Sequence, residues 1–263
     1  MASFEPDTGT DHAFQLHLPA ADPPPGGFPL LWLLDAPTTW GPMQQALDAA
    51  DRADSVVVIG LGWQGAGPVD QGLRRRDFTP PAHGGVPAPR GGGEWGHDGD
   101  CGRFLDLLAG TLQPLAAEQL PVDPSAQVLA GHSLSGLFVL DTLVRRPDLF
   151  CAWAAASPSL WWDGKRIFTE LDRHAGDALR GRRVLLTVGS EEQRVGPEKP
   201  VRIEGEQAAA LLGEPHMIDY TSAFAERLSG LGADCRFELI EGEGHGSVLP
   251  AAMSAVAAMM PGR

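Results

Sequence analysis

The chain has 263 residues, 43% of them hydrophobic, with a formal charge of −14. This length predicts one α/β domain with a sizeable core, because α/β folds often reach it undivided. The acidic balance argues against nucleic acid or an anionic membrane as the main partner, since both require a basic surface.

Targeting signals are not visible in the sequence. The first 50 residues contain no Lys or Arg, and no apolar run reaches the length of a membrane span. The three cysteines, Cys101, Cys151 and Cys235, form no CxxC pair, so we expect them to be reduced. These features predict a cytoplasmic protein without an export signal.

Hydrophobic patterning predicts strands that alternate with helices. An edge strand is expected at Phe14–Leu18, followed by buried strands at Leu30–Leu34, Ser55–Ile59, Val128–Ala130, Ala152–Ala156, Val184–Val188 and Arg236–Ile240. Helices are expected from Thr39 to about Asp51, from about Cys101 to Gln119, after the fourth strand up to Arg146, and at Glu206–Leu212, Glu214–Leu231 and Val248–Met260. A long loop is expected from Gly60 to about Gly99. The alternation predicts a mostly parallel sheet with helices on both faces.

The hexapeptide Gly131–Gly136 reads Gly-His-Ser-Leu-Ser-Gly and lies between a predicted strand and a predicted helix. This context predicts a nucleophile elbow, a sharp turn that exposes Ser133 above the sheet edge. Such a turn requires small neighbours, which Gly131 and Ser135 supply. A serine-rich turn without chemistry is the alternative.

A nucleophilic serine needs a base within hydrogen-bond reach, and the base needs an orienting group. In α/β-hydrolases the order along the chain is nucleophile, acid, base. Glu191 and Glu192 follow one predicted strand, and His245 lies in a glycine-rich loop after the last. Carboxyl ends of parallel strands line the crevice, so we predict Ser133 as nucleophile, His245 as base and either glutamate as acid. His132 is expected to point away from the crevice.

Catalysis by this serine would also need two backbone N–H donors for an oxyanion. One is predicted at Leu134, next to the nucleophile, and the other in the loop Asp35–Thr38. Pro37 has no N–H, so the second donor is Ala36 or Thr38, with Ala36 preferred.

A different glycine pattern, Gly60–Gly65, follows a strand and fits GxGxxG. The residues after it, Ala66-Gly67-Pro68, do not begin a helix, and a dinucleotide pyrophosphate needs a helix N-terminus. The run Gly91–Gly93 lacks the Gly-Lys-Ser/Thr of a phosphate loop, and no His/Cys/Asp spacing suggests a metal site. We therefore predict neither a cofactor nor a metal.

Two groups of side chains are candidates for substrate contact. Arg74, Arg75 and Arg76 could bind an anionic group of the substrate, with pairing to acidic neighbours as the alternative. Trp161 and Trp162 could form an aromatic wall, with core packing of one of them as the alternative.

Several longer motifs are shared with a known family. They are Asp77–Pro80, Val122–Pro124, Gly131–Leu140, Arg146–Phe150, Ala156–Asp163 and Gly244–Gly246. Over about residues 28–260 the chain resembles the putative esterase family of α/β-hydrolases, and within it the branch that includes enterobactin and salmochelin siderophore esterases. The resemblance implies an α/β-hydrolase fold and cleavage of carboxylic esters by a Ser–His pair, with or without an acid. Carried over by position, Ser133 is the nucleophile, His245 the base, and Glu192 matches the acid of feruloyl-esterase relatives.

The chain departs from the family pattern in three places. Ser135 stands where the family usually has Gly, Asp35-Ala36 replaces the usual Asp-Gly, and the segment 193–213 is longer and predicted to be a lid. We predict a serine esterase that acts on a small-molecule ester through an acyl group on Ser133. An acyltransferase with the same Ser–His site and a non-catalytic binding protein of this fold are the alternatives.

Overall fold

The computed structural model describes residues 4–7, 9–65, 70–83, 99–174, 176–193 and 216–262. Within these ranges seven strands form one sheet in the order β1-β3-β2-β4-β5-β6-β7. The strands are β1 (His12–His17), β2 (Phe28–Leu33), β3 (Val57–Trp63), β4 (Val122–His132), β5 (Ala152–Ala156), β6 (Arg183–Gly189) and β7 (Asp234–Ile240). Only β1 pairs antiparallel with its neighbour, as an edge strand; the other pairs are parallel.

In the part of the chain that the structure describes, eight α-helices accompany these strands. They are α1 (Ala36–Ala49), α2 (Gln71–Phe78), α3 (Cys101–Leu107), α4 (Gln113–Gln119), α5 (Leu134–Arg145), α6 (Trp162–His174), α7 (Met217–Gly230) and α8 (Leu249–Met259). A π turn at Leu108–Leu112 joins α3 to α4, and short 3₁₀ turns lie at Gly176–Leu179 and Ser190–Glu192. None of the helices described is long and apolar enough to cross a membrane.

The sheet separates two apolar layers. Successive strand residues point to opposite faces, so Leu30 and Trp32 enter the layer under α2–α7 whereas Leu31 and Leu33 enter the layer under α1 and α8. Every residue of β2 is buried, as expected of a central parallel strand. This confirms the predicted sheet with helices on both faces.

Helix α1 begins three residues before the predicted start at Thr39. Pro37 lies in its first turn, where a missing N–H costs nothing, and favours the earlier start. The Thr39 hydroxyl instead donates from inside the helix to the carbonyls of Leu34 and Asp35, at 2.8 and 3.0 Å.

The prediction of a loop from Gly60 to Gly99 is wrong in part, because β3 continues to Trp63 and α2 follows. The strand glycines make room for α1. A Cβ on Gly60 would lie 2.7 Å from the Trp40 ring, and one on Gly62 would lie 2.9 Å from Pro37. The first two glycines of the GxGxxG pattern therefore reflect close packing of a helix, and the third, Gly65, has a positive φ of 65°.

The predicted helix 101–119 is continuous but contains the π turn. This turn ends two residues before Pro114, which has no N–H for the carbonyl four residues earlier. The predicted helix at 206–212 and nearly all of the predicted lid at 193–213 lie outside the described residues. The single-domain organisation with a lid stays a prediction.

Candidate active site

Ser133 occupies the turn between β4 and α5. Its backbone has φ 62° and ψ −116°, a conformation that costs a non-glycine residue roughly 1–3 kcal/mol. The neighbours leave no space: a Cβ on Gly131 would lie 2.6 Å from the carbonyl carbon of Ser135, and one on Gly136 would lie 3.1 Å from the carbonyl oxygen of Ala156. The turn has the geometry of a nucleophile elbow.

A line of hydrogen bonds leads away from this serine. Ser133 Oγ lies 2.9 Å from His245 Nε2, and His245 Nδ1 lies 2.6 Å from Glu192 Oε2. A carboxylate only accepts, which assigns the proton to Nδ1 and leaves Nε2 as acceptor for the serine hydroxyl. The His245 side chain is 25% exposed and that of Glu192 only 2%. The arrangement can remove a proton from Ser133.

Glu192 is held by more than the histidine. Its Oε1 accepts hydrogen bonds from Ser157 Oγ at 2.5 Å and from the Gly189 N–H at 2.8 Å. Burial raises the pKa of Glu192, but the hydrogen bond and charge of His245 and the bonds from Ser157 and Gly189 hold it below its ordinary value. Glu192 is therefore ionised at neutral pH. The neighbouring Glu191 side chain, by contrast, is exposed.

The turn that carries the glutamates also contacts the loop that carries His245, through bonds that involve backbone N–H groups. The Glu191 N–H donates to the Glu243 carbonyl at 3.0 Å, and the Gly242 N–H donates to Ser190 Oγ at 2.9 Å. A Cβ on Gly189 would collide with the Glu243 carbonyl oxygen. The two segments are thus joined independently of the Glu192–His245 bond.

The expectation that His132 points away from the crevice is wrong. Its Nε2 donates to the carbonyl oxygen of His245 at 2.8 Å, and the two imidazole centroids lie 4.7 Å apart. His132 therefore supports the loop of the candidate base. The two residues are 113 positions apart, and no local pattern signals such a contact.

Two serines after β5 were missed by the sequence reasoning. Ser159 Oγ lies 3.3 Å from Ser133 Oγ, and the Ser159 N–H donates to the Ser133 carbonyl at 3.0 Å. Ser157 has a positive φ of 42° and reaches Glu192. Their position at the carboxyl end of a parallel strand, inside the shared motif Ala156–Asp163, is the signal that could have found them.

The candidate oxyanion donors differ in what their N–H groups already contact. The Thr38 N–H donates to the Asp35 carbonyl at 2.9 Å, which leaves Ala36 as the candidate from this loop. Ala36 and Leu134 are the first residues of α1 and α5, and N–H groups there have no acceptor within their helix. Such N–H groups also favour negative charge.

The arginines and tryptophans that were candidates for substrate contact differ in how far they already interact with other residues of the protein. Arg74 forms a buried bidentate ion pair with Asp35, and Arg76 pairs with Asp11 and Asp77. The Arg75 guanidinium lies 5.9 Å from the Trp162 ring centroid. Trp162 is 2% exposed and belongs to the core, whereas Trp161 is half-buried. Their contacts with a substrate stay predictions.

The mostly parallel seven-stranded sheet and the strained serine after β4 define an α/β-hydrolase. A family model, Putative esterase, matches residues 6–212. The chain belongs to this family and is an ester hydrolase, which confirms the predicted fold class, family and enzyme class.

Individual relatives agree with this assignment. Ferri-bacillibactin esterase BesA from Bacillus subtilis is 31% identical over 267 residues, covering 97% of this chain and 86% of that protein. A siderophore enterobactin esterase from Emericella nidulans is 34% identical over 213 residues, covering 75% of this chain and 69% of that protein. The crystal structure of BES protein from Bacillus cereus has the same fold, with a TM-score of 0.75 at 24% identity, covering 98% of this chain and 92% of that one.

Proposed function

We propose that this esterase hydrolyses siderophore esters, with Ser133 as nucleophile, His245 as base and Glu192 as the acid. The observation that carries the mechanism is the line Ser133–His245–Glu192, with distances of 2.9 and 2.6 Å. The substrate class is supported by relatives named as siderophore esterases, among them one that matches 97% of this chain.

In the first half-reaction Ser133 Oγ attacks the ester carbonyl while its proton passes to His245 Nε2. The ionised Glu192 stabilises the resulting imidazolium through Nδ1–H. The N–H groups of Leu134 and Ala36 donate to the oxyanion. His245 then gives its proton to the leaving alcohol, and an acyl group remains on Ser133.

In the second half-reaction water takes the place of the alcohol. His245 accepts a proton from the water as it attacks the acyl carbonyl, and returns it to Ser133 Oγ as the acid leaves. The Ser159 hydroxyl, 3.3 Å from Ser133 Oγ, supports the side-chain conformation from which Ser133 attacks in the first half-reaction.

The substrate is tested by incubating the protein with bacillibactin, enterobactin and triacetylfusarinine C, each with and without Fe(III), beside an aryl ester of a simple acid. We expect the siderophores to be cleaved with the higher kcat/KM, as measured by chromatography and mass spectrometry of the products. Cleavage of the simple ester alone would overturn the substrate class. Transfer of the acyl group to an added alcohol in preference to water would favour the acyltransferase alternative.

A further inference from the structure

The two candidate oxyanion donors, Ala36 and Leu134, lie on different segments of the chain. The residues next to them are hydrogen-bonded to one another. Asp35 directly precedes Ala36, and Ser135 directly follows Leu134. Ser135 Oγ donates to Asp35 Oδ2 at 2.7 Å. One side-chain hydrogen bond thus connects the start of α1 to the start of α5.

On the elbow side, Ser135 is fully buried and its orientation is fixed. Its Oγ accepts the His132 N–H at 2.8 Å and also lies 2.8 Å from the His132 carbonyl oxygen. A hydroxyl has a single proton, and the carboxylate of Asp35 is the stronger acceptor. The N–H of His132 and the carboxylate of Asp35 together determine where the hydroxyl points.

On the opposite side, Asp35 is 4% exposed and is held by a second partner. Arg74 Nε and Nη2 donate to its two carboxylate oxygens, each at 2.9 Å. A bidentate pair fixes both position and plane of a carboxylate. Three donors therefore converge on Asp35, from α2 and from the elbow.

The backbone of Asp35 sets the direction of the Ala36 N–H. Asp35 has left-handed dihedrals, φ 57° and ψ 42°, and its carbonyl accepts the N–H groups of Thr38 and Thr39 at 2.9 and 3.1 Å. In a trans peptide the C=O and the next N–H point in opposite directions. The Ala36 N–H consequently points out of α1 rather than into its first turn.

We infer that Ser135, Asp35 and Arg74 form a clamp that sets the separation of the two oxyanion donors. This rests on the proposed function of Ser133, and the three residues are positioning residues that act through Ala36 and Leu134. Donors stabilise an oxyanion only within a narrow range of distance. A clamp of this kind affects the transition state more than the bound ester.

The test replaces the bridging hydroxyl with Ser135→Ala and compares it with Thr221→Val. Thr221 is an equally buried hydroxyl that donates to the Met217 carbonyl at 2.7 Å in α7. We expect Ser135→Ala to lower kcat by about 10- to 100-fold with KM unchanged, less than the loss of a whole donor. Affinity for an aryl trifluoromethyl ketone, which forms a tetrahedral adduct with the nucleophile, should fall by the same factor. Thr221→Val should leave both unchanged.

A folded Ser135→Ala protein with wild-type kcat and wild-type affinity for the ketone would overturn the clamp. Equal losses of kcat in Ser135→Ala and Thr221→Val would also overturn it. Arg74→Lys, which keeps the charge but not the bidentate geometry, is expected to lower kcat less and repeats the test should Ser135→Ala not fold. Ser133→Ala separates the two proposals. Activity in Ser133→Ala contradicts the proposed function, whereas an inactive Ser133→Ala beside a fully active Ser135→Ala contradicts the clamp alone.

Discussion

Among the residues that the structure describes, we compare two hydrogen-bonded lines of hydroxyl, imidazole and carboxylate that differ in their surroundings. The first is Ser133–His245–Glu192. In the second, Thr10 Oγ1 lies 2.7 Å from His12 Nδ1, and His12 Nε2 lies 2.9 Å from Asp77 Oδ2. The second line connects β1 to α2, with its ring nitrogens used in the reverse order.

Exposure and strain separate the two lines. The His12 side chain is 5% exposed, against 25% for His245. Asp77 also accepts from Trp63 and Arg76; burial raises its pKa, but the bonds from Arg76 and His12 hold it below its ordinary value. Ser133 has a positive φ and directly precedes a helix, whereas Thr10 precedes a strand. From this comparison we expect that the order of the three groups does not by itself make a nucleophile, and that an accessible imidazole and nearby N–H donors are also needed.

The largest expected contrast is between the two hydroxyls. Ser133→Ala should lower turnover of an aryl ester by about a million-fold, because the nucleophile is lost. Thr10→Ala should leave it unchanged. Intact-protein mass spectrometry after a fluorophosphonate probe should find label on the wild type and Thr10→Ala, and none on Ser133→Ala. Label on Ser133→Ala would show that the nucleophile lies elsewhere.

The next contrast concerns the acid. Glu192→Gln should lower kcat by about 10,000-fold, because the neutral amide neither fixes the tautomer of His245 nor stabilises its cation. Glu191→Gln is the matched control and should retain wild-type activity, since its side chain is exposed. Equal activity in the two variants would indicate a working Ser–His dyad.

The second line should matter for stability instead. Asp77→Ala removes the shared acceptor of His12, Trp63 and Arg76, and should lower the free energy of unfolding by about 3–5 kcal/mol. Asp177→Ala, at an exposed side chain, should change it by less than about 0.5 kcal/mol. Urea unfolding measures both. A fall in kcat of the folded Asp77→Ala protein beyond about twofold would count against a purely structural role.

The smallest effect is expected from Ser157→Ala, which removes one of the bonds to Glu192. We expect kcat/KM to fall by about tenfold, because hydrogen bonds to charged groups are moderate in strength. Since the pKa of Glu192 is lowered on folding, its ionised form stabilises the protein above the ordinary carboxyl range, and this stabilisation is lost as pH falls through the folded-state pKa.

In Ser157→Ala that folded-state pKa rises toward its ordinary value. The stabilisation should then be smaller and disappear at a higher pH than in the wild type. Urea unfolding of both proteins between neutral and acidic pH measures this difference. Superimposable stability curves would contradict the role given to Ser157.

Local patterns in the sequence were enough to locate the elbow and the loops around it. Parallel strands end at the same edge, so Ser133, Glu192 and His245 could be expected to lie close together. Helix α2 was missed because Gln71–Phe78 has few apolar residues, and its contacts with α5 are tertiary. Its N-cap, Asp70, which accepts the Leu73 N–H at 2.9 Å, was the available signal.

Other contacts between distant parts of the chain could not be predicted. Pairing of Arg74 with an acidic residue was one of the two interpretations, but nothing in the sequence identifies the partner as Asp35, 39 positions away. His132 and Ser157 likewise act on residues far along the chain. A single sequence carries propensities and periodicity, and neither specifies which buried polar groups meet.

The collision that any side chain at Gly189 would make with Glu243 affects how this site can evolve. Since the main chain itself holds the His245 loop against the end of β6, the side chain at position 192 can change while the imidazole keeps its place. A substitution at position 192 is therefore expected to change the chemistry of the site while leaving the His245 loop where it is. Position 189 has no such freedom, because any side chain there would push the His245 loop away from the end of β6.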